Sequence, residues 1–352
     1  MAIYSIWNNK GGVGKSYLTF QVASEYAATH PDKKVLVIDI CPQANASSML
    51  LGGIVEGETT LNQIHQGTPR ATISSYIEDR IFSPYVNPKS GARFATRVSQ
   101  YNHQIPPNLY LVVGDEQLEI QASRVTAATF PGPADAWRIV HTWISDLIDD
   151  ISTSWNKAAL TVFIDCNPSF SIYTELALSA SDRLIVPFSA DGSSKRAVRA
   201  VLSLVFGISR HPGQQQSEFF LNSTRFRMSS PELYMYVGNR LTQANQTSAT
   251  AFKTVVNEIG DEIYAVWQVN PNLFCIHPNG APIPSNKRNF KAMFQYEVND
   301  ANTASVVSGA CGIPISGLSS GTRVVLGRNI VVNQSQLDKQ VPNIRTLAAA
   351  IE

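Results

Sequence analysis

One short segment constrains this chain more than any other, a glycine-rich turn between an apolar run and an amphipathic helix. The run Ala2–Trp7 predicts a buried strand, and Ser16–Thr29 carries apolar residues at helical spacing. Lys34–Ile40 predicts a second buried strand. A strand, a turn, a helix and a strand form a βαβ unit, which predicts a parallel sheet.

The turn has the composition of a phosphate-binding loop. Glycines let successive backbone N–H groups curve around phosphate oxygens, and the following helix presents its positive end to the same anion. Lys15 supplies charge to the β- and γ-phosphates, and the Ser16 hydroxyl is placed to ligate Mg²⁺. The residues predicted to contact the nucleotide are Asn9, Lys10, Gly11, Gly12, Val13, Gly14, Lys15, Ser16 and Tyr17.

Strands and helices alternate along most of the chain. We therefore predict an α/β fold, with a doubly wound, mostly parallel sheet flanked by helices, of the P-loop NTPase type. Residues 1–352 are predicted to form a single domain, in which the Gly-rich and Pro-interrupted segment 52–107 is an elaboration inserted after the second strand. Residues 269–335 are predicted to be irregular, and 336–351 to form a closing helix.

The pattern predicts further elements between these regions. The additional strands are Leu109–Val113, Leu160–Asp165, Leu184–Pro187, Glu218–Asn222 and Glu262–Gln268. The additional helices are Glu116–Val125, Ala136–Trp155, Ser171–Ser179, Lys195–Ile208 and Pro231–Ile259.

Composition excludes several classes of protein. With 44% hydrophobic and 16% charged residues, the chain is not mainly disordered. A formal net charge of +1 gives no global field for nucleic acid, although a local patch can still bind DNA. No uncharged apolar run is long enough to span a membrane. The four cysteines lack disulfide or zinc spacing, and the N-terminus lacks a secretory pattern, so we expect a cytoplasmic protein.

Several segments together resemble the ParA/MinD family of deviant Walker A P-loop ATPases. The loop KGGVGKS carries an extra lysine, Lys10, and lacks the first glycine of the standard motif. The segment VLVIDICPQANASSML is similar to the family's switch I, and TVFIDCNPSF to its Walker B and switch II. FFLNSTRF falls where a family strand ends near the adenine.

The resemblance implies that the cofactors are ATP and Mg²⁺ and that the protein forms a homodimer on ATP binding. It implies that Lys10 reaches the partner's phosphates, that Asp165 supports the metal together with Ser16, and that Asn222 lies near the adenine. An acid at the end of a buried strand suits Mg²⁺, a hard cation that prefers oxygen. For Asp165 alone, capping of the next turn is the alternative.

The chain departs from the family at Cys41, where the family has the Asp that orients the attacking water. A neutral thiol is a weak hydrogen-bond acceptor, and its ionisation near a triphosphate is disfavoured. Asp39 is the other candidate for that role, so the candidate catalytic residues are Lys10, Lys15, Asp39 and Cys41. Cys41 and Cys166 could form a redox-sensitive pair, but two small buried thiols are the favoured interpretation.

A basic stretch indicates a second partner. Residues 181–256 contain nine Lys and Arg against four acids, and the family binds DNA through such residues without sequence preference. Lys195, Arg196 and Arg199 are the candidate contacts, and an ordinary solvated face is the equal alternative. The last helix has few basic residues, so no membrane anchor is expected.

The leading hypothesis is an ATP-dependent dimerising switch for DNA partition or cargo positioning. Its hydrolysis is expected to be slow or stimulated by a partner protein. The alternative is a non-hydrolysing, nucleotide-gated scaffold of the same fold.

Overall fold

The structure, a computed structural model, describes residues 1–130, 132–209, 211, 213–241 and 246–352, with the backbone alone for residues 240, 241 and 246–252. Its strands are β1 (Ala2–Ile6), β2 (Lys34–Asp39), β3 (Thr96–Arg97), β4 (Leu109–Val112), β5 (Leu160–Asp165), β6 (Arg183–Phe188), β7 (Glu232–Leu241), β8 (Gln295–Asn299), β9 (Gly321–Val325) and β10 (Arg328–Val332). Its α-helices are α1 (Lys15–Thr29), α2 (Asn45–Leu50), α3 (Glu56–His65), α4 (Ile73–Phe82), α5 (Leu118–Ala127), α6 (Ala136–His141), α7 (Trp143–Ser154), α8 (Ile172–Ala180), α9 (Ser194–Phe206), α10 (Glu218–Arg225), α11 (Gln246–Val269), α12 (Lys287–Phe294), α13 (Thr303–Cys311) and α14 (Gln334–Ala349).

The central sheet has eight strands in the order β3-β4-β2-β5-β1-β6-β7-β8. All neighbours are parallel except β3, which pairs antiparallel with β4. Separate apolar clusters cover the two faces of the sheet, one built mainly with α4, α5, α7, α8, α9 and α11 and the other with α1, α13 and α14. Strands buried on both faces read as continuous apolar runs. The predicted α/β fold of P-loop NTPase type is confirmed.

The register of the central strands determines where the polar side chains meet. Ile6 on β1 and Asp39 on β2 both pair with Asp165 on β5. The carboxyl ends of these three strands therefore lie side by side, at the edge where open α/β sheets bind ligands. The loop that follows Ile6 begins at this same edge.

The prediction of a strand over 218–222 is wrong, because these residues lie in α10. The Ser217 hydroxyl accepts a hydrogen bond from the backbone N–H of Phe220 at 3.1 Å and caps the helix, and Glu218 lies in its first turn. An N-cap hydroxyl and an acid near the positive end stabilise a helix. The short apolar run was ambiguous between strand and helix, and the cap decides for the helix.

The helix predicted over 231–259 is wrong for Glu232–Leu241, which form β7, but correct from Gln246 onward, where α11 begins. The strand predicted over 262–268 is wrong. β7 is an inner strand, paired with β6 on one side and β8 on the other. Its aromatic and β-branched residues suit that position, so sheet pairing overrides the helical spacing. Residues 262–268 instead continue α11, where the rings of Tyr264 and Trp267 pack against the buried Phe290.

The long helix predicted over 136–155 is divided into α6 and α7 at Thr142. The Thr142 hydroxyl donates to the carbonyl of Ile139 at 2.8 Å, and its backbone N–H bonds the same carbonyl at 3.2 Å. These contacts close a tighter turn than an α-helical one.

Two regions predicted from composition contain more regular structure than expected. Residues 52–107 hold α3 and α4 and add β3 to the edge of the sheet. Residues 269–335, predicted to be irregular, contribute β8 to the sheet, two helices and the β9–β10 hairpin. The closing helix is present as α14, with Asn333 and Gln336 forming a capping box. In the described ranges no helix has the length and apolar character needed to cross a membrane.

Candidate functional site

The glycine-rich loop connects β1 to α1 and is held from two neighbouring strands. Gly12 and Gly14 have positive φ values of 75° and 81°, which glycine adopts without strain. The buried Asn8 side chain donates to the Pro187 carbonyl on β6 at 2.7 Å. The Asn239 amide on β7 donates to the Val13 carbonyl at 2.9 Å. Two side-chain contacts thus anchor the ends of the loop.

The Lys15 ammonium group lies across the loop. Its Nζ donates to the Lys10 carbonyl at 2.9 Å and lies 3.4 Å from the Asn8 carbonyl. Burial lowers the pKa of Lys15, and the nearby Asp165 carboxylate opposes that shift. A buried ammonium group that donates to neutral carbonyls favours a further anion beside it. This placement suits a phosphate at the N-terminus of α1.

Asp165 joins β5 to the start of α1. Its carboxylate accepts a hydrogen bond from the Ser16 hydroxyl at 2.6 Å and from the Thr19 hydroxyl at 3.0 Å. Burial raises the pKa of Asp165, and the negative charge of Asp39 raises it further. A cation placed here would relieve that repulsion.

Ser16 and Asp165 fit the metal predicted from the sequence. Both are oxygen donors, and the Asp165 carboxylate is fully buried beside a second acid. Mg²⁺ is commonly held by one or two protein oxygens together with water and substrate phosphates, so it needs no complete protein cage. The described part of the chain contains no cluster of three or more His, Cys, Asp or Glu that could hold a metal.

The Asp39 carboxylate is hydrogen-bonded to residues that follow it closely in the sequence. Its carboxylate accepts hydrogen bonds from the backbone N–H groups of Cys41 at 3.1 Å and Ser47 at 2.9 Å, and from the Ser47 hydroxyl at 2.8 Å. Burial raises its pKa, and these hydrogen bonds oppose the rise. Asp39 therefore shapes the turn between β2 and α2, and most of its acceptor capacity is used there.

Cys41 and Cys166 are buried free thiols, as the favoured interpretation expects. Burial, with the charges of Asp39 and Asp165, raises the pKa of Cys41 to about 12. Burial also raises the pKa of Cys166, whose thiol lies 3.7 Å from the Ile164 carbonyl. A thiol must lose its proton to become a strong nucleophile or ligand. Both side chains are therefore neutral at physiological pH.

The Lys10 ammonium group has different partners from that of Lys15. Its Nζ donates to the Ser189 hydroxyl at 3.1 Å, to the Ser194 hydroxyl at 3.2 Å and to the Asp191 carboxylate. These three partners lie at the end of β6 and the start of α9. The two lysines of one loop thus have different environments.

A cleft of about 480 Å³ opens beside the loop. Its walls come from the loop, the segment after β2, the start of α3 and the exposed face of α13. Cys41 and Cys166 line it, whereas Asp39 and Asp165 lie behind its surface. Glu58 on α3 is the acidic side chain among the described residues that line this cleft.

Three predicted nucleotide contacts lie in different surroundings. Asn222 is in the second turn of α10, where its carbonyl accepts from Phe226, so its expected place at a strand end is wrong. Asn239 is the strand-end amide that reaches the loop instead. Tyr17 lines the cleft while its hydroxyl donates to Gln340 on α14 at 2.8 Å. Asn9 is exposed and faces a second cavity, of about 830 Å³, between α9 and α11.

The basic residues of α9 are not equally available to a partner. Lys195 is ion-paired with Glu258 at 2.8 Å, and Arg199 with Glu262 at 2.6 Å. Both acids lie on α11, so these pairs join the two helices. Arg196 is exposed. The cluster predicted to contact DNA is therefore partly neutralised within the chain.

Sequence reasoning missed several residues of the site. The Thr19 hydroxyl donates to Asp165, and the Ser47 hydroxyl donates to Asp39. Asn239 was hidden by the helix predicted over 231–259, which is wrong there. Asp191 gave no motif signal, because it meets Lys10 only through the packing of β6 beside β1.

Comparison with known proteins identifies the family. The family model AAA_31, described as an AAA domain, matches residues 1–216. The chain belongs to this family. Its relatives indicate the ParA/MinD-like P-loop ATPases, as the loop motif predicted. The chromosome partitioning protein ParA of Caulobacter vibrioides is 25% identical over 267 residues, which cover 75% of this chain and 79% of that protein.

Two further proteins are similar to this chain. An uncharacterized protein of Pseudomonas putida is 25% identical over 236 residues, or 66% of this chain and 71% of that protein. Among solved structures, an ATP complex of an McdA variant from Cyanothece superposes with a TM-score of 0.58 at 16% identity, covering 100% of this chain and 97% of that one. At that identity the match shows the fold, and this ParA-like ATPase shares it along its whole length.

Proposed function

We propose that this ParA-like ATPase is a cytoplasmic switch that binds ATP and Mg²⁺, forms a homodimer and positions DNA or a protein cargo. The observation that carries the proposal is the convergence of Lys15, Ser16 and Asp165 at the amino end of α1. A buried ammonium, a hydroxyl and a buried acid at one helix end are suited to a metal-bound polyphosphate. The ParA relative and the fold shared with McdA support the same class of function.

Each group has a separate role in this proposal. The backbone N–H groups of residues 11–16 hold phosphate oxygens, and Lys15 neutralises their charge. Ser16 and Asp165 would hold Mg²⁺, and the bound cation would offset charge on the β- and γ-phosphates. The Lys10 ammonium group leaves its partners on its own subunit and contacts the phosphates bound to the other subunit.

Hydrolysis in this protein is slow, or it depends on a partner protein. Cys41 lines the cleft as a neutral thiol, which is a poor group for orienting water. Asp39 is occupied by Ser47 and by the Cys41 backbone. The same two observations favour the second candidate, a nucleotide-gated scaffold that binds ATP without hydrolysing it.

DNA is the proposed non-specific partner, bound through phosphate contacts at the start of α9. Lys195 and Arg199 are paired with acids, whereas Arg196 is exposed and has no ion pair among the described residues, so it supplies the charge for DNA. Phosphate contacts make affinity strongly salt-dependent and insensitive to sequence. No DNA retention at low salt would favour the scaffold, and retention that does not change with salt would exclude this mode of binding.

The dimer is tested by measuring mass in solution with ATP and Mg²⁺, with ADP and Mg²⁺, and with no nucleotide. We expect a twofold increase in mass with ATP alone. Lys10→Ala should bind ATP with unchanged affinity and remain a monomer, because the side chain that it removes acts between subunits. A variant that dimerises like the wild type would disprove the role of Lys10. Steady-state ATPase activity, with and without DNA, separates the switch from the scaffold.

A further inference from the structure

Lys10 is held by a small polar cluster on its own chain, formed by Ser189, Asp191 and Ser194. All three side chains contact the Lys10 ammonium, with the two hydroxyls at 3.1 Å and 3.2 Å. The Lys10 side chain is 21% exposed and that of Asp191 is 50% exposed. The contact is therefore at the surface, where a competing ligand can reach it.

Asp191 is also organised by its own neighbours. Its second oxygen accepts from the Ser193 backbone N–H at 3.0 Å and from the Ser193 hydroxyl at 2.8 Å. Partial burial opposes ionisation, yet hydrogen bonds from Lys10, Ser189 and Ser193 hold the pKa of Asp191 below its usual range. The carboxylate is thus charged and fixed in direction, with one oxygen on the helix start and the other on Lys10.

The cluster lies where two functions of the protein meet. Asp191 follows β6, and Ser194 is the first residue of α9, the helix that carries Arg196. A lysine bound here restrains the first turn of α9 as well as its own side chain. If Lys10 leaves, Ser189, Asp191 and Ser194 each lose a donor at the same time.

We propose that Asp191 is a positioning residue for Lys10, which it holds on its own chain until the phosphates in the second subunit compete for the ammonium. This inference rests on the proposed ATP-dependent dimer. The dimer then forms only when both subunits exchange an Asp191 contact for a phosphate contact. The exchange sets a threshold for dimerisation, and it releases the start of α9 in the same step.

The first test is the dimer dissociation constant of Asp191→Asn, measured by sedimentation in saturating ATP and Mg²⁺. Asparagine keeps an oxygen for the Ser193 N–H but loses the charge that holds Lys10. A partly exposed ion pair changes an equilibrium by about 2- to 5-fold, and two subunits give up the contact. We expect dimerisation about 4- to 25-fold tighter, with ATP affinity of the monomer unchanged. A dissociation constant equal to or weaker than that of the wild type would overturn the proposal.

Ser193→Ala is the matched control. It removes one hydrogen bond from Asp191 at the start of α9 without removing a Lys10 partner. If Asp191 acts only by capping the helix, both variants should change dimerisation alike. If it acts through Lys10, Asp191→Asn alone should tighten the dimer.

A second readout tests the contact without nucleotide. Amine acetylation by an activated ester, followed by mass spectrometry, gives the labelling rate of each lysine. Lys10 should react several times faster in Asp191→Asn than in the wild type, with Lys89, whose side chain is 77% exposed, as the internal reference. Equal Lys10 rates would overturn the contact. If Lys10 reacts faster in Asp191→Asn but the wild type never dimerises with ATP, the contact is real and the proposed function is wrong. The threshold for dimerisation would then be wrong as well.

Discussion

The two walls of the proposed nucleotide site contain similar residues with different surroundings. On the loop wall, the Lys15 ammonium is buried with neutral carbonyls as partners, and Ser16 and Asp165 bond each other beside it. On the switch wall, formed by the segment after β2, the Asp39 carboxylate accepts three hydrogen bonds from its own turn. The loop wall presents charge to a ligand, and the switch wall uses its charge to shape the chain.

The difference separates binding from catalysis. Phosphate binding needs donors and positive charge at one point, and the loop wall supplies both. Orienting water needs an acceptor at the cleft surface, and there the switch wall offers the neutral Cys41 thiol. The site is therefore expected to hold ATP far more effectively than it cleaves it.

The largest expected effect is on the loop wall. Lys15→Ala removes the charge at the phosphates but leaves the backbone N–H groups of the loop in place. ATP affinity should fall by about 1–3 kcal/mol, in the range of charge-assisted hydrogen bonds. Titration calorimetry with ATP and Mg²⁺ measures this change.

Lys10→Ala is the control for that measurement, because it removes a lysine from the same loop without removing a contact to the same subunit's phosphates. Its ATP affinity should equal that of the wild type. If Lys15→Ala also binds ATP normally, the loop is not the phosphate site and the comparison of the two walls has no basis.

The next effect is on the switch wall. Cys41→Asp introduces a carboxylate where the cleft surface now has a thiol. Such a group can orient water, and a positioned base typically contributes 10-fold or more to rate. The ATPase rate should rise by about that factor, and the ATP dimer should dissociate sooner. A phosphate-release assay at saturating ATP measures the rate.

Cys41→Asn is the matched control, with nearly the same size and no charge. It should leave the rate low. The Asp variant should also unfold more easily without Mg²⁺, because it adds a third carboxylate near Asp39 and Asp165. Brisk hydrolysis by the wild type that persists in Asp39→Ala would show that another group activates the water.

The sequence was most informative where local chemistry determines the structure. The loop between β1 and α1 needs glycine at positive φ, a lysine and a hydroxyl in fixed order, and a one-dimensional pattern records all three. Likewise Asp165 ends a continuous apolar run, so its place at the carboxyl end of a central strand follows from the sequence. The proposed role of Lys10 came from the family resemblance, because spacing alone does not imply it.

The errors fall where distant parts of the chain decide the outcome. β7 became an inner strand because β6 and β8 flank it, and β8 comes from a region with weak local signals. With β7 misassigned, Asn239 could not be placed beside Val13, 226 residues away. The partners of Lys10 are about 180 residues distant and share no motif with it. Packing, rather than propensity, brings these residues together.

The last expected effect concerns the two buried acids, Asp39 and Asp165. It distinguishes the two walls by how the free energy of unfolding depends on pH. Burial raises the pKa of both Asp39 and Asp165 above the value in the unfolded chain. Between about pH 4 and the raised value, the folded chain binds more protons, so its free energy of unfolding falls as pH rises. In Asp165→Asn, without ATP and Mg²⁺, this fall should be smaller, by about 1.4 kcal/mol for each unit by which folding raises the pKa of Asp165.

Urea unfolding at a series of pH values measures the effect, and Asp39→Asn should reduce the fall in the same direction. ATP with Mg²⁺ should then separate the two acids, because a bound cation favours the charged form of the carboxylate that holds it. With the ligand present, Asp165 should contribute little to the fall, while Asp39, satisfied by its own turn, should contribute as before. An equal response of both acids to the ligand would mean that the metal lies between the two walls, and the division between a binding wall and a structural wall would be wrong.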